Sequence, residues 1–245
     1  MTNQSELSNR VFKYLKLLYY SFYRPKIFSP KKEYSLFGED RFIERYFKNK
    51  TKGFYIDVGC YHPLDGNNTH LLHAKGWNGI NFDINFYSIE LFNFWRKKDI
   101  NIHSGISKKK DKLTMYCRKE INMLNTLDKR IAKIHFRNGF KKRNIQVNTL
   151  NYFISKYFKK LEKIDFLNID VEGGELNVLK SLNFKDYKPR LICIEIHNSK
   201  NMYDTNYDYL KVNNIYKFLI NKKYKVVWHK KYSFIFERKK NDKKN

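Results

Sequence analysis

Cysteine is scarce. The chain of 245 residues holds three, Cys60, Cys117 and Cys193, far apart and odd in number. That excludes a disulfide framework and a cysteine-rich zinc site. Long apolar runs are missing as well. No stretch approaches the roughly 18 apolar residues of a membrane-spanning helix. No uncharged apolar run with a small-residue cleavage site marks a secretory signal, so a cytoplasmic protein is the expectation. Acidic residues are few, 24 against 50 Lys+Arg, for a net charge of +26. Such a balance suits nucleic acid or an anionic membrane. Yet the basic residues form no arginine-rich tract and are not interleaved with glycine. Lys, Asn, Ile, Tyr and Phe recur everywhere, as AT-rich codon bias produces, which argues against nucleic acid as the partner. No repeat or low-complexity tract is visible.

What is present is ordinary globular material. Hydrophobic residues make up 42%, and the length suits one α/β domain with an appendage. Residues 1–32 read as a basic, aromatic helix and linker, 33–238 as the domain, and 239–245 as a disordered polar tail. Residues 11–28 are rich in Tyr and Phe, with Lys13, Lys16 and Arg24 interrupting. Weak peripheral membrane contact is one reading of them. Packing on the domain, or the end of a linker, is preferred, because the aromatics sit nearly all round such a helix. Pro25 and Pro30 bracket a break.

Beyond it, strands and helices alternate. Short apolar runs at 53–59, 79–83, 101–107, 166–170 and 191–196 read as strands, and 112–117 as an exposed one. Helical spacing covers 88–98, 149–161 with Thr149 as N-cap, 174–182 and 205–222. Residues 224–229 and 233–238 form a closing hairpin. The alternation implies a parallel sheet covered on both faces. The basic, weakly patterned stretch 118–145 is an insertion able to lie over the active face.

Ligands of such sheets lie at the carboxyl ends of the strands. Carboxylates gather there despite their scarcity: Asp57, Asp83, Asp170 with Glu172 and Glu175, and Glu195 beside His197. Glu172 and Glu175 also suit a helix N-terminus. The turn after the first strand carries a single glycine, Gly59, in place of Gly-x-Gly-x-x-Gly, and no Walker-type Gly-Lys-Ser/Thr occurs. It is poorly built for a pyrophosphate. An adenosine without phosphates fits better, with ribose on Asp83 and a cationic amino-acid part near Asp57 and Gly59. S-adenosylmethionine is such a ligand, and its cationic groups suit an acidic pocket.

Several blocks resemble the FkbM family of S-adenosylmethionine-dependent methyltransferases. They are the opening segment Tyr34–Asp40, the first cofactor motif Phe54–Pro63, Asn68-Thr69, Gly76–Asn81 and the acidic motif Ile169–Glu175. Together they run through roughly 33–238. Leu36 departs from the glutamine common in that family, and Asp83-Ile84 stands where it often has Glu-Pro.

The resemblance implies a Rossmann-like class I methyltransferase fold, a mostly parallel seven-stranded sheet with an antiparallel C-terminal hairpin strand. It implies S-adenosylmethionine as cofactor, held by Glu39, Asp57, Gly59, Asn68, Asp83, Ser104 and Asp170. The reaction implied is methyl transfer to a hydroxyl of a saccharide or small molecule, as in polysaccharide modification. A hydroxyl is a poor nucleophile, so a base or a metal should help. Asp170, Glu172 and His197 are the catalytic candidates, with His197 best matched in pKa. The same three could ligate Mg²⁺, though no His or Cys pair demands a transition metal. His62 is a weaker base, and His73, His103, His135 and His229 read as surface or packing residues. Two alternatives are a ribose 2′-O-methyltransferase using Lys180 with Asp170 and Glu195, and a non-catalytic membrane-peripheral module.

Overall fold

The short apolar runs become strands where Gly, Asn or Asp bounds them. The computed structural model describes residues 3–22, 32–119, 121–197 and 207–239, with side chains from residue 11 onward. The main sheet uses β1 (Phe54–Val58), β2 (Asn78–Asp83), β3 (Ile100–His103), β7 (Phe166–Ile169), β8 (Leu191–Glu195), β9 (Tyr224–Lys230) and β10 (Ser233–Arg238). Their order is β3-β2-β1-β7-β8-β10-β9. The first five are parallel, and β10 runs antiparallel to both β8 and β9. This is the expected seven-stranded Rossmann-like arrangement with its closing hairpin. The order reverses between β1 and β7, which places the ligand crevice there.

Period two sorts the strand residues onto two faces. Ile56, Val58, Leu167, Ile169, Ile192, Ile194, Phe234 and Phe236 fill one core. The helices on that side are α6 (Leu150–Tyr157), α7 (Glu175–Lys180) and α8 (Asn214–Asn221). Thr149 caps α6 as expected, accepting from the Tyr152 amide at 3.0 Å. The other face carries Tyr55, Phe166, Leu191 and Ile235 under α2 (Glu39–Tyr46) and α3 (His70–Ala74). Toward the carboxyl ends this second face turns polar. Asp57 pairs in register with Asn168, and Asn168 with Cys193.

Some elements escape the sequence pattern. The run 101–107 is two strands, because the chain leaves the main sheet at Ser104. β4 (Gly105–Ile106), β5 (Asp111–Cys117) and β6 (Lys141–Asn148) form a second, three-stranded sheet in the order β4-β6-β5. With α5 (Lys129–His135) it makes the expected insertion a folded lobe. The long helix expected over 205–222 is a 3-10 turn, Tyr207–Val212, followed by α8, with Asn213 capping between them. Residues 205 and 206 lie outside the described residues.

The N-terminal helix, α1 (Asn3–Phe22), packs on α4 (Phe86–Trp95), as preferred from sequence. Aromatics stand on both sides of it, as expected: Tyr20 packs inward on Tyr87, and the outward face is described below. The break at Pro25 and Pro30 and the tail beyond residue 239 lie outside the described residues. No helix among those described is long and apolar enough to cross a membrane.

Candidate active site

The site grows from the turn after β1. Gly59 has φ +82°, and a Cβ there would meet the carbonyl oxygen of Asp170 at 1.7 Å. Only glycine lets the turn after β1 pass so close to the end of β7. Asp83 ends β2 and fastens this turn. Its carboxylate accepts from the amides of Tyr61 at 2.8 Å and Asn85 at 2.7 Å. Burial raises its pKa from 3.8 to about 6, against the pull of those two bonds.

A cleft of about 700 Å³ opens beside this turn. Its floor is Val58, Gly59, Asp83, Ser104 and Asp170, and its roof is Asn122, Met123, Asn125 and Leu127 from the inserted lobe. Asn125 is 7% exposed, and neither its amide nitrogen nor its carbonyl oxygen has a hydrogen-bond partner. A buried amide with both ends unsatisfied normally costs about 1–3 kcal/mol. One facing a cleft is built to be completed by a ligand.

A smaller pocket of about 310 Å³ lies on the other side of Asp170. Glu39, Asn68, Asn168, Cys193, Glu195 and Leu36 line it. The segment from Tyr34 folds over it, held by the Asp40 carboxylate, which accepts from the Tyr34 amide and the Ser35 hydroxyl. Glu39 accepts from the Phe37 amide at 2.8 Å, and Asn68 donates to Asn168 at 2.9 Å. Gly66 and Asp170 belong to both pockets.

Where the pockets meet, carboxylates face one another. Asp170 and Glu195 lie close enough for each carboxyl to act on the other. Burial first, then neighbouring carboxylates, push both pKa values well above the usual range. The pair holds a proton where an exposed carboxyl would have lost it. His197 lies 3.2 Å from Glu195 and against the ring of Tyr232. Glu172 sits in left-handed backbone, φ 55°, and lies 3.0 Å from His135 Nε2. Strain of that kind in a non-glycine residue costs about 1–3 kcal/mol and clusters at functional sites.

Residues 57–226 match the methyltransferase FkbM domain. The chain belongs to that family. Methyl transfer from S-adenosylmethionine is therefore its chemistry. No curated protein matches it in sequence. Among solved structures, it is similar to a TehB-like SAM-dependent methyltransferase from Corynebacterium glutamicum, at 11% identity and TM-score 0.40. That match covers 97% of this chain and 100% of the other. A Clostridium thermocellum protein described as an rRNA-methylase gives 12% identity and TM-score 0.40, covering 80% and 94%. Similarity that distant carries no argument about acceptor or residues.

The structure places the sequence candidates unequally. Gly59, Asp83, Ser104 and Asp170 line the main cleft, and Glu39, Asn68 and Asp170 the smaller pocket. Asp57 lines neither. It is fully buried and accepts from Asn168 and Thr69, each at 2.8 Å, and from Asn67 at 3.4 Å. Beneath it, Arg96 donates to Thr69, Asn67 and the Pro63 carbonyl. Asp57 thus builds the floor rather than meeting a cationic ligand. Glu175 opens α7 and accepts from the Gly173 amide at 2.8 Å. Lys180 stands in the last turn of α7, at the far end from the acidic motif.

Glu172, Glu195 and His197 bring one ligand atom each within 4.8 Å of one another. They could hold a hard divalent ion. Glu195 takes the place that sequence reading gave to Asp170. Sequence reading did not single out Asn125, and it read His135 as a surface or packing residue, which its buried contact with Glu172 fits. Nothing in its spacing marks Asn125, which comes from the inserted lobe.

Proposed function

We propose that this FkbM-domain methyltransferase methylates a hydroxyl oxygen of a saccharide or small molecule. S-adenosylmethionine supplies an electrophilic methyl group carried on a positive sulfur. The residues present fit its parts. The free lone pairs of Asp83 accept the ribose hydroxyls. Asn125 offers a donor and an acceptor to the adenine edge, between the apolar walls Ile84, Leu127 and Val171. Glu39 suits an ammonium, and Asn68 with Asn168 a carboxylate, in the smaller pocket.

The observation that carries the hydroxyl reading is the carboxylate–histidine cluster at the junction. An alcohol gives up its proton as it is methylated, and the proton needs an acceptor already in place. Burial and mutual repulsion raise both Asp170 and Glu195, which makes either carboxylate a stronger base than an exposed one. Glu195 also orients His197, as a carboxylate orients the imidazole of a general base. A lining this rich in acceptors favours an acceptor molecule with several hydroxyl donors. Positioning contributes the remainder, and aligned reactants gain up to about 7–11 kcal/mol.

Labelled S-adenosylmethionine, offered with a panel of mono- and oligosaccharides and with short RNAs, tests this. Label in an alkali-stable ether on a saccharide supports it. Label on RNA alone, or on carboxyl groups as alkali-labile esters, overturns it.

A further inference from the structure

Surface helices usually turn a polar face to water and an apolar face to the core. The outer half of α1 does the reverse. Val11, Leu15, Leu18 and Phe22 stand along the middle of its outward face, with Phe12, Tyr14 and Tyr19 at the borders. All are between 41% and 62% exposed. At about 100° per residue they fill an arc of about 160°. No charged residue interrupts it.

The polar side chains are on the inner face. Lys13 pairs with Glu90, Lys16 lies 5.1 Å from the Tyr87 ring, and Ser21 accepts from Trp95 at 3.0 Å. The apolar patch continues onto α4 through exposed Phe94 and Trp95, and exposed Lys97 and Lys98 follow at once. In sequence, Arg10 lies just before the arc, and Arg24 and Lys26 just after it.

We propose that this face docks on an anionic lipid bilayer. Apolar side chains in the middle, tyrosines and a tryptophan at the rim and lysines beside them match the depth profile of a membrane interface. The net charge of +26 fits an anionic surface. The same charge disfavours a second copy as the occupant, because two such chains repel. The arc runs parallel to its helix, so the helix lies in the interface rather than crossing it.

The test is co-sedimentation of the full chain with vesicles of equal parts phosphatidylcholine and phosphatidylglycerol, beside pure phosphatidylcholine. Wild type should pellet with the anionic vesicles, less so as salt rises. Trp95 emission should shift to shorter wavelength. Leu15→Asp with Leu18→Asp should weaken binding at least tenfold, without changing the thermal midpoint, since both residues are exposed. Leu18→Ser serves should the pair disturb folding. The proposal falls if wild type stays in solution, if both vesicle types capture it alike, or if the variants bind like wild type. A concentration-dependent dimer dissolved by Leu15→Asp would assign the face to a second copy instead.

Discussion

The ends of β1 and β2 and the ends of β7 and β8 both carry carboxylates, but different groups face them. Asp57 meets Asn67, Thr69 and Asn168, with Arg96 beyond, and Asp83 meets two backbone amides. Asp170 and Glu195 meet each other, with Glu172 and Glu175 adding charge of the same sign. A carboxylate ringed by donors is a fastening. Carboxylates crowded together oppose folding and survive where chemistry uses them.

The largest effect should come from Asp57→Ala. It strands Thr69 and Asn168 and removes one of the two carboxylates whose charge faces buried Arg96, the other being Asp99, so unfolding by urea should show a loss of about 2–5 kcal/mol. Asp170→Asn should behave oppositely. Its stability should hold or rise, since one of the crowded acids is gone, while turnover drops about a hundredfold or more. A stable Asp57 variant, or an active Asp170 variant, would break the contrast.

Acid sharpens it. The proposed ribose contact needs the ionised Asp83, whose pKa is raised to about 6. Cofactor affinity should therefore fall as pH drops below about 6, approaching tenfold per unit. Calorimetry of Asp83→Asn should show that slope flattened. For folding the sign reverses. A carboxyl raised above its unfolded value of 3.8 penalises the fold fully above about 6, and the penalty fades as pH falls toward 4. The smallest effect belongs to Asn125→Leu. It should weaken cofactor binding about threefold to tenfold, the range for one neutral hydrogen bond. Stability should hold or rise, because no internal partner is lost and a buried amide without partners is removed.

The sheet was legible because its strands are short apolar runs with glycine or acid at their ends. The cleft floor was legible for the same reason: Gly59, Asp83 and Asp170 end strands. What Asp57 does was not. Its three partners are brought to it by the 67–69 turn and by register with β7, and neither shows in local pattern. Asn125 was hidden further, inside a lobe whose β6 reads as a string of exposed Lys, Arg and Asn. The helices α2 and α3 are one or two turns long, too short for a 3.6-residue period to emerge. For α1, the aromatics do lie on both sides, with Tyr20 turned inward, so they could not tell one face from the other. The interruptions by Lys13 and Lys16 are what reveal which side is inward.

The contact between Gly59 and Asp170 also sets a schedule. The hydrogen bond from Asn168 to Asp57 spans 111 residues of sequence. Contacts that distant form late, since the intervening loop must close before they return anything. A chain growing from its N-terminus can pair β1 with β2 and β3, but Asp57 waits with Thr69 and Arg96 until β7 slots in beside it. Until then there is no wall behind the turn and no Asp170 at the junction. Recovery of cofactor binding during refolding should accordingly trail the recovery of helical signal. Nascent chains that end before Phe166 carry most of the described helices of this enzyme and neither of the two carboxylates, Asp170 and Glu195, that meet at the junction.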